Sequence, residues 1–176
     1  MPWEVTFRYP ERSRRVRSAI ALNSMRLYIT SSFGDSREDI EKLCSIVRSA
    51  GFEDFSFIRD VENYQKIFDN PEDLMKRSED EIKKSDALLI DMTDKPTGRA
   101  IEAGMAYSLG KKIIAIMKRG VQIKDTTKGI TDAIIEYDVI EDISNGLKEA
   151  LRRWHKSKKC RGEHIKSVRI NCINGR

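Results

Sequence analysis

The segment DALLIDMTDKPTGRAIEAGMAYSLGKKIIAIMK, residues 86–118, decides the fold. Its ends, DALLIDM (86–92) and KIIAIMK (112–118), are short apolar runs of the kind found in strands buried on both faces of a parallel sheet. Between them the polar loop TDKPTG leads into a run of small and apolar residues that Gly110 closes, which reads as a helix. Strand, helix and strand in that order make a crossover unit, right-handed when both strands join one sheet. One acid, Glu102, sits in the first turn or so of that helix, where a face packed on a sheet is normally apolar.

The pattern repeats outward. MRLYITSSF from Met25 reads as a buried strand ending in small polar residues. A helix capped at Asp35-Ser36 follows, with Ile40, Leu43, Cys44 and Val47 on one face and Gly51 at its end. FEDFSFI (52–58) is expected as the second strand, and NPEDLMKRSEDEIKKS (70–85) as a helix opened by Asn70 and Pro71. Leu74, Ser78 and Ile82 share a face of it. EYDVI (136–140) is expected as the fifth strand, and the last helix aligns Ile143, Leu147, Leu151 and Trp154. Alternating elements of this kind predict a doubly wound α/β fold with a five-stranded, mainly parallel sheet. Ligands of such sheets collect beyond the carboxyl ends of the strands, here Thr30–Asp35, Asp91–Gly98 and Lys118–Gly129.

With 176 residues, 39% hydrophobic and 35% charged, the chain has material for one sizeable core. The expected division is a basic N-terminal extension (1–24), a folded domain (25–155) and a basic C-terminal tail (156–176). The net charge of +5 is uneven: residues 1–24 carry +3 and residues 152–176 carry +8, leaving an acidic centre of −6. The positive charge comes from two terminal tails and not from a patterned surface with interleaved aromatics, so these ends read as solvated tails, and nucleic acid is not the expected partner. No apolar run approaches the roughly 20 residues that cross a bilayer, and no signal-peptide pattern opens the chain. A soluble, cytoplasmic protein is expected. Cys44, Cys160 and Cys172 make neither an even disulfide set nor a metal spacing, and His155 and His164 lie in the basic end, so no metal or cofactor is expected.

Near a helix N-terminus a carboxylate is stabilised in its charged form by about 0.3–1 kcal/mol, so Glu102 is expected to be ionised and ready to attack. It could open a glycosidic bond by adding to the anomeric carbon, giving a sugar ester that water or another acceptor resolves. Asp91 and Asp94, in the preceding loop, are the candidate acids or orienting groups. The competing reading is that Glu102 caps its helix or faces solvent. The exit of the first strand, YITSSFGDSRED, offers the hydroxyls of Ser31 and Ser32 and a helix N-terminus to an anion, or else is an ordinary capped turn. Neither GxGxxG nor GxxxxGK[ST] is present.

Three blocks, MRLYITSSFGDSRED, KKSDALLIDMTDKPTG and AIEAGMAYSLGKKIIAI, resemble in order and spacing the nucleoside 2-deoxyribosyltransferase-like superfamily, which includes the 2′-deoxynucleoside 5′-monophosphate N-glycosidases. The resemblance covers about residues 25–150, and its most specific part is the E-x-G-x-A-x-x-x-G-K element from Glu102 to Lys111. It implies a flavodoxin-like (Rossmann-like) fold in which Glu102 attacks C1′ of the sugar. It also assigns Tyr28 and Ser32 to the sugar or phosphate and Gly98 to the loop before the nucleophile. A residue reaching in from a neighbouring subunit would be Thr131 or Asp132, so a homodimer or higher homo-oligomer is implied. Two positions depart from the family pattern. Its aspartate on the helix before strand three is matched by Ser78, with Asp80 facing elsewhere, and the basic residue after the first-strand serine is matched by Gly34, leaving Arg37 to replace it.

The expected function is therefore cleavage of, or transfer across, the N-glycosidic bond of a nucleoside or (deoxy)nucleoside 5′-monophosphate. The alternative is a nucleotide-binding sensor or scaffold of the same fold with weak turnover.

Overall fold

The computed structural model describes residues 24–31, 34–94, 97–122, 125–159 and 168–170. Six strands form one sheet in the order β2-β1-β3-β4-β5-β6, and every neighbouring pair is parallel. They are β1 (Arg26–Ile29), β2 (Glu53–Ser56), β3 (Ala87–Asp91), β4 (Lys112–Lys118), β5 (Ala133–Tyr137) and β6 (Val168–Ile170). The chain runs from β1 outward to β2 and then returns past β1 to β3, which puts the switch in strand order between β1 and β3. The helices are α1 (Arg37–Ser49), α2 (Phe57–Asp60), α3 (Pro71–Lys84), α4 (Thr97–Ser108), α5 (Asp125–Ile130) and α6 (Ile143–Lys159). This is the doubly wound, flavodoxin-like architecture expected from the alternation of elements.

Three boundaries differ from the sequence reading. β5 begins at Ala133, not at Glu136, because the apolar Ala133, Ile134 and Ile135 are the buried residues while Val139 is 58% exposed. β2 stops at Ser56, and Phe57 and Ile58 turn into α2 with both side chains buried. A sixth strand, β6, pairs with β5 inside the stretch read as a basic tail. Three residues amid charge give no periodic signal, so only the pairing partner reveals it. Residues 1–23 of the N-terminal extension, Cys160 and Cys172 lie outside the described residues.

Strand periodicity sorts the core onto two faces. Leu27, Ile29, Leu89, Ile114, Ile116 and Ile135 pack with Ile40, Cys44 and Val47 of α1 and Ile143, Leu147 and Ala150 of α6. Tyr28, Leu88, Ile90, Ile113, Ala115 and Met117 face the other way, onto Ile82 of α3 and Ala103 and Ala106 of α4. Each fully buried aliphatic contributes about 1.5–3 kcal/mol. The helices start as the sequence implies: Ser36 Oγ accepts from Asp39 N–H at 3.1 Å, and Asn70 Oδ1 from Glu72 N–H at 3.0 Å. No helix among the described residues is long and apolar enough to cross a membrane.

α6 meets β5 closely at Gly146, where a Cβ would lie 2.9 Å from three side-chain atoms of Ile135. All three belong to a branched, fully buried side chain, so the added methyl must displace Ile135 in the core. Gly146→Ala is expected to cost about 1–3 kcal/mol. A fall in the denaturant midpoint at unchanged slope is the result that checks it.

Candidate active site

Tyr28 alternates with Leu27 and Ile29, so its ring points to the α3/α4 side, where it packs against Phe55 with centroids 5.5 Å apart. Its hydroxyl donates to Glu102 Oε1 at 2.6 Å. Ser78, on α3 between Leu74 and Ile82, donates to the same oxygen at 2.9 Å and lies 3.0 Å from the Tyr28 hydroxyl. With Glu102 ionised, each hydroxyl commits its one proton to Oε1. Three elements that the fold brings together, β1, α3 and α4, thus fix one carboxylate oxygen. Oε2 accepts no hydrogen bond from a described residue, and Glu102 is half-buried, not sealed.

Glu102 is the sixth residue of α4, beyond the first turn where the dipole acts. The expectation of a carboxylate poised by the helix end is therefore corrected. Burial dominates and raises its pKa above the ordinary glutamate value, while the hydrogen bonds from Tyr28 and Ser78 and then the Arg99 charge pull it back. A nearby carboxylate, Glu62, adds to the upward push. Burial first, and the Glu102 charge second, raise the Tyr28 phenol well above its usual value, so Tyr28 remains a donor.

Asp91 and Asp94 lie elsewhere. Asp91 shares the parity of Ala87 and Leu89, and so faces the α1/α6 side of the sheet, opposite Tyr28. Its carboxylate accepts from Tyr137 Oη at 2.9 Å and from Thr93 N–H at 2.8 Å. Asp94, with a 62% exposed side chain, is ion-paired to Arg99 at 3.2 Å. Arg99 itself is 5% exposed, donates to both oxygens of Asp35 at 2.9 and 3.0 Å, and reaches the Asp91 carbonyl at 3.4 Å. A cavity of about 540 Å³ lies beyond the strand ends on this side, lined among others by Thr30, Asp35, Asp91, Arg99, Tyr137 and Asp138. Arg99 is the link between this cavity and Glu102.

Of the remaining sequence candidates, Gly98 is exposed, and a Cβ there would meet nothing within 4 Å. Arg37 stacks over the Tyr64 ring at 4.6 Å, and Tyr64 donates to Glu41 at 2.7 Å. Asp132 pairs with Lys112 at 2.6 Å and accepts from Ile113 N–H at 2.9 Å, at the start of β4, the end of the sheet away from Glu102. Thr131 donates to the Thr127 carbonyl at 2.7 Å. Ser32 lies outside the described residues. Among the described residues no group of three or more His, Cys, Asp or Glu is placed to hold a metal ion.

Arg99, Tyr137 and Glu62 were not singled out from sequence. Arg99 carried a signal: a cation in the first turn of a helix opposes the dipole and needs anionic partners, which Asp35 and Asp94 supply.

The same architecture occurs in proteins of known structure. A CMP N-glycosidase from Clostridium botulinum matches with a TM-score of 0.55 and 20% identity, covering 71% of this chain and 99% of its own. A 2-deoxyribosyltransferase from Bacillus psychrosaccharolyticus matches with a TM-score of 0.53 and 24% identity, over 68% of this chain and 90% of its own. The chain shares their fold. No protein-family model matches the sequence, and no curated protein matches it in sequence.

Proposed function

We propose that the chain cleaves, or transfers across, the N-glycosidic bond of a nucleoside or (deoxy)nucleoside 5′-monophosphate through a glycosyl ester on Glu102. The observation that carries this reading is the convergence of Tyr28 and Ser78 on Oε1 of a half-buried carboxylate. Fixing one oxygen presents the other. Oε2 attacks C1′ as the C1′–N bond breaks and its electron pair leaves with the base, and water or a second base then resolves the ester. Arg99, anchored by Asp35 and Asp94, favours the ionised state that this attack requires. Asp94 is then an orienting group acting through Arg99, with Asp91 on the cavity side of the same arginine.

The sugar and its phosphate fall to the exit of β1, with Ser32 and Arg37 as candidate contacts and the backbone at Gly98 as the close approach. A homo-oligomer fits the apolar side chains that α4 leaves exposed, Ile101 at 50% and Tyr107 at 58%. Asp132 would serve a neighbouring subunit's site in such an assembly. No metal or redox group is required for this chemistry.

A binding module with weak turnover is favoured by one observation, the hydroxyl of Ser78 at the position where the family carries an aspartate. The two readings part in one experiment. Incubation with a panel of nucleosides and 5′-monophosphates, with and without an acceptor base, is expected to yield free base or an exchanged nucleoside on chromatography. Tight binding with no base released across the panel supports the sensor.

A further inference from the structure

The cavity of about 540 Å³ lies beyond the carboxyl ends of the strands, beside the switch in strand order where ligands of doubly wound sheets collect. Its size is that of a small-molecule site. Glu102, Tyr28 and Ser78 are not among its described lining residues, so it is separate from the candidate active site. Ile29 at the end of β1, Ile40 and Leu43 of α1, and Val139 and Ile140 ahead of α6 give it carbon surface. Carboxylates join them from three directions: Asp91 and Asp94 at the end of β3, Asp35 and Asp39 around the start of α1, and Asp138 and Glu141 at the junction of β5 and α6.

Those six carboxylates outnumber the three cations of the described lining, Lys42, Arg99 and Lys118. Lys42 is engaged by Glu141 at 2.7 Å, and Arg99 by Asp35 at 2.9 Å and Asp94 at 3.2 Å. Lys118 is exposed, where water screens its charge. Asp91 is half-buried and held in direction by Tyr137 Oη and Thr93 N–H, yet no described lysine or arginine forms an ion pair with its carboxylate. Thr30, one residue beyond β1, also lines the cavity; it is 3% exposed, and its hydroxyl has no hydrogen-bond partner among the described residues. Orphaned buried hydroxyls are uncommon in folded proteins. An anion is repelled by such a lining, and a neutral ligand leaves Asp91 without a counter-charge. A cation with a carbon skeleton answers both walls.

We propose that this cavity binds an aliphatic polyamine, a chain of ammonium groups separated by short methylene runs. The ammonium groups meet Asp91 and the carboxylates of the β5–α6 junction, while the methylenes cover Ile29, Ile40 and Leu43. An ammonium N–H is also a donor that the Thr30 oxygen can accept. Neither the site nor its ligand depends on the glycosidic activity.

Calorimetric titration of the full chain with spermidine and 1,4-diaminobutane tests this, with 1,4-butanediol and succinate as the neutral and anionic chains of matched length. Spermidine is expected to bind saturably with one-to-one stoichiometry, and the diol and succinate about 10-fold more weakly or not at all. Asp91→Asn should weaken spermidine binding about 10- to 100-fold, as for a lost hydrogen bond to a charged group. Glu102→Gln should keep the wild-type affinity. Attraction to the overall acidity of the domain is measured by Glu79→Gln/Asp80→Asn on α3, outside the cavity lining, against Asp138→Asn/Glu141→Gln at its exposed rim. The two pairs remove the same charge, and only the rim pair should weaken binding; this comparison decides the matter if Asp91→Asn fails to fold. No saturable binding of spermidine, equal binding of diol and diamine, equal weakening by the two double variants, or loss of binding in Glu102→Gln would overturn the proposal.

Discussion

Replacing Glu102 by Gln is expected to abolish base release while making the protein more stable at neutral pH. The rate should fall on the order of 10⁴-fold or more, because an amide cannot form the ester and residues acting as a unit fail together. The stability change follows from the raised Glu102 pKa. Folding takes up protons wherever the folded-state value exceeds the unfolded one, so the wild type loses stability as pH rises from the unfolded pKa through the folded one. Gln is neutral throughout. The two proteins should therefore melt alike below the ordinary glutamate pKa, with the variant melting higher above the shifted one. Thermal melts across that range, beside base-release assays, check both halves, and a variant destabilised at neutral pH would contradict the electrostatic account. A gain in stability on removing a working group is a known form of the trade between stability and activity.

Tyr28→Phe has the second largest expected effect. The 2.6 Å bond from the phenol lowers the Glu102 pKa, so its removal lets burial raise that pKa further. Attack requires the ionised form, and activity is lost as pH falls through the Glu102 pKa. The acid limb of the pH–rate profile must accordingly move to higher pH in the variant. At pH values on that limb the loss should be about 10- to 100-fold, as expected for a hydrogen bond to a charged group worth about 1.5–3 kcal/mol. Above the limb, much of the rate should return. A uniform loss at every pH would mean that Tyr28 holds the sugar and does not tune the carboxylate.

Much of this architecture was legible in the linear sequence, for identifiable reasons. The apolar runs of β3 and β4 and the single-faced spacing of α1 have periods that local sequence records. Glu102 was found because an acid on an otherwise apolar helix face stands out from its neighbours, and Tyr28 through the resemblance carried by the first-strand block. What stayed hidden depends on contacts distant in sequence. The side of the sheet that Asp91 faces is set by parity within β3 and became meaningful only once Tyr28 was seen on the opposite side. β6 is three residues long and is defined by its pairing with β5. Glu62 sits in a charged, aperiodic stretch, and nothing local indicates that its loop folds in against Phe57 and Val61. The direction of the Glu102 pKa shift was misjudged because proximity to a helix end was weighed without the burial that outweighs it.

The proposed covalent step is tested most directly by stopping the reaction in acid during turnover, digesting the protein and weighing the peptide that contains Glu102. The mechanism predicts a mass increase of one sugar, or one sugar phosphate, on that peptide in the wild type, and none in Glu102→Gln. Rapid base release by the wild type with an unmodified Glu102 peptide at every quench time, and an undiminished rate in Glu102→Ala, would contradict it.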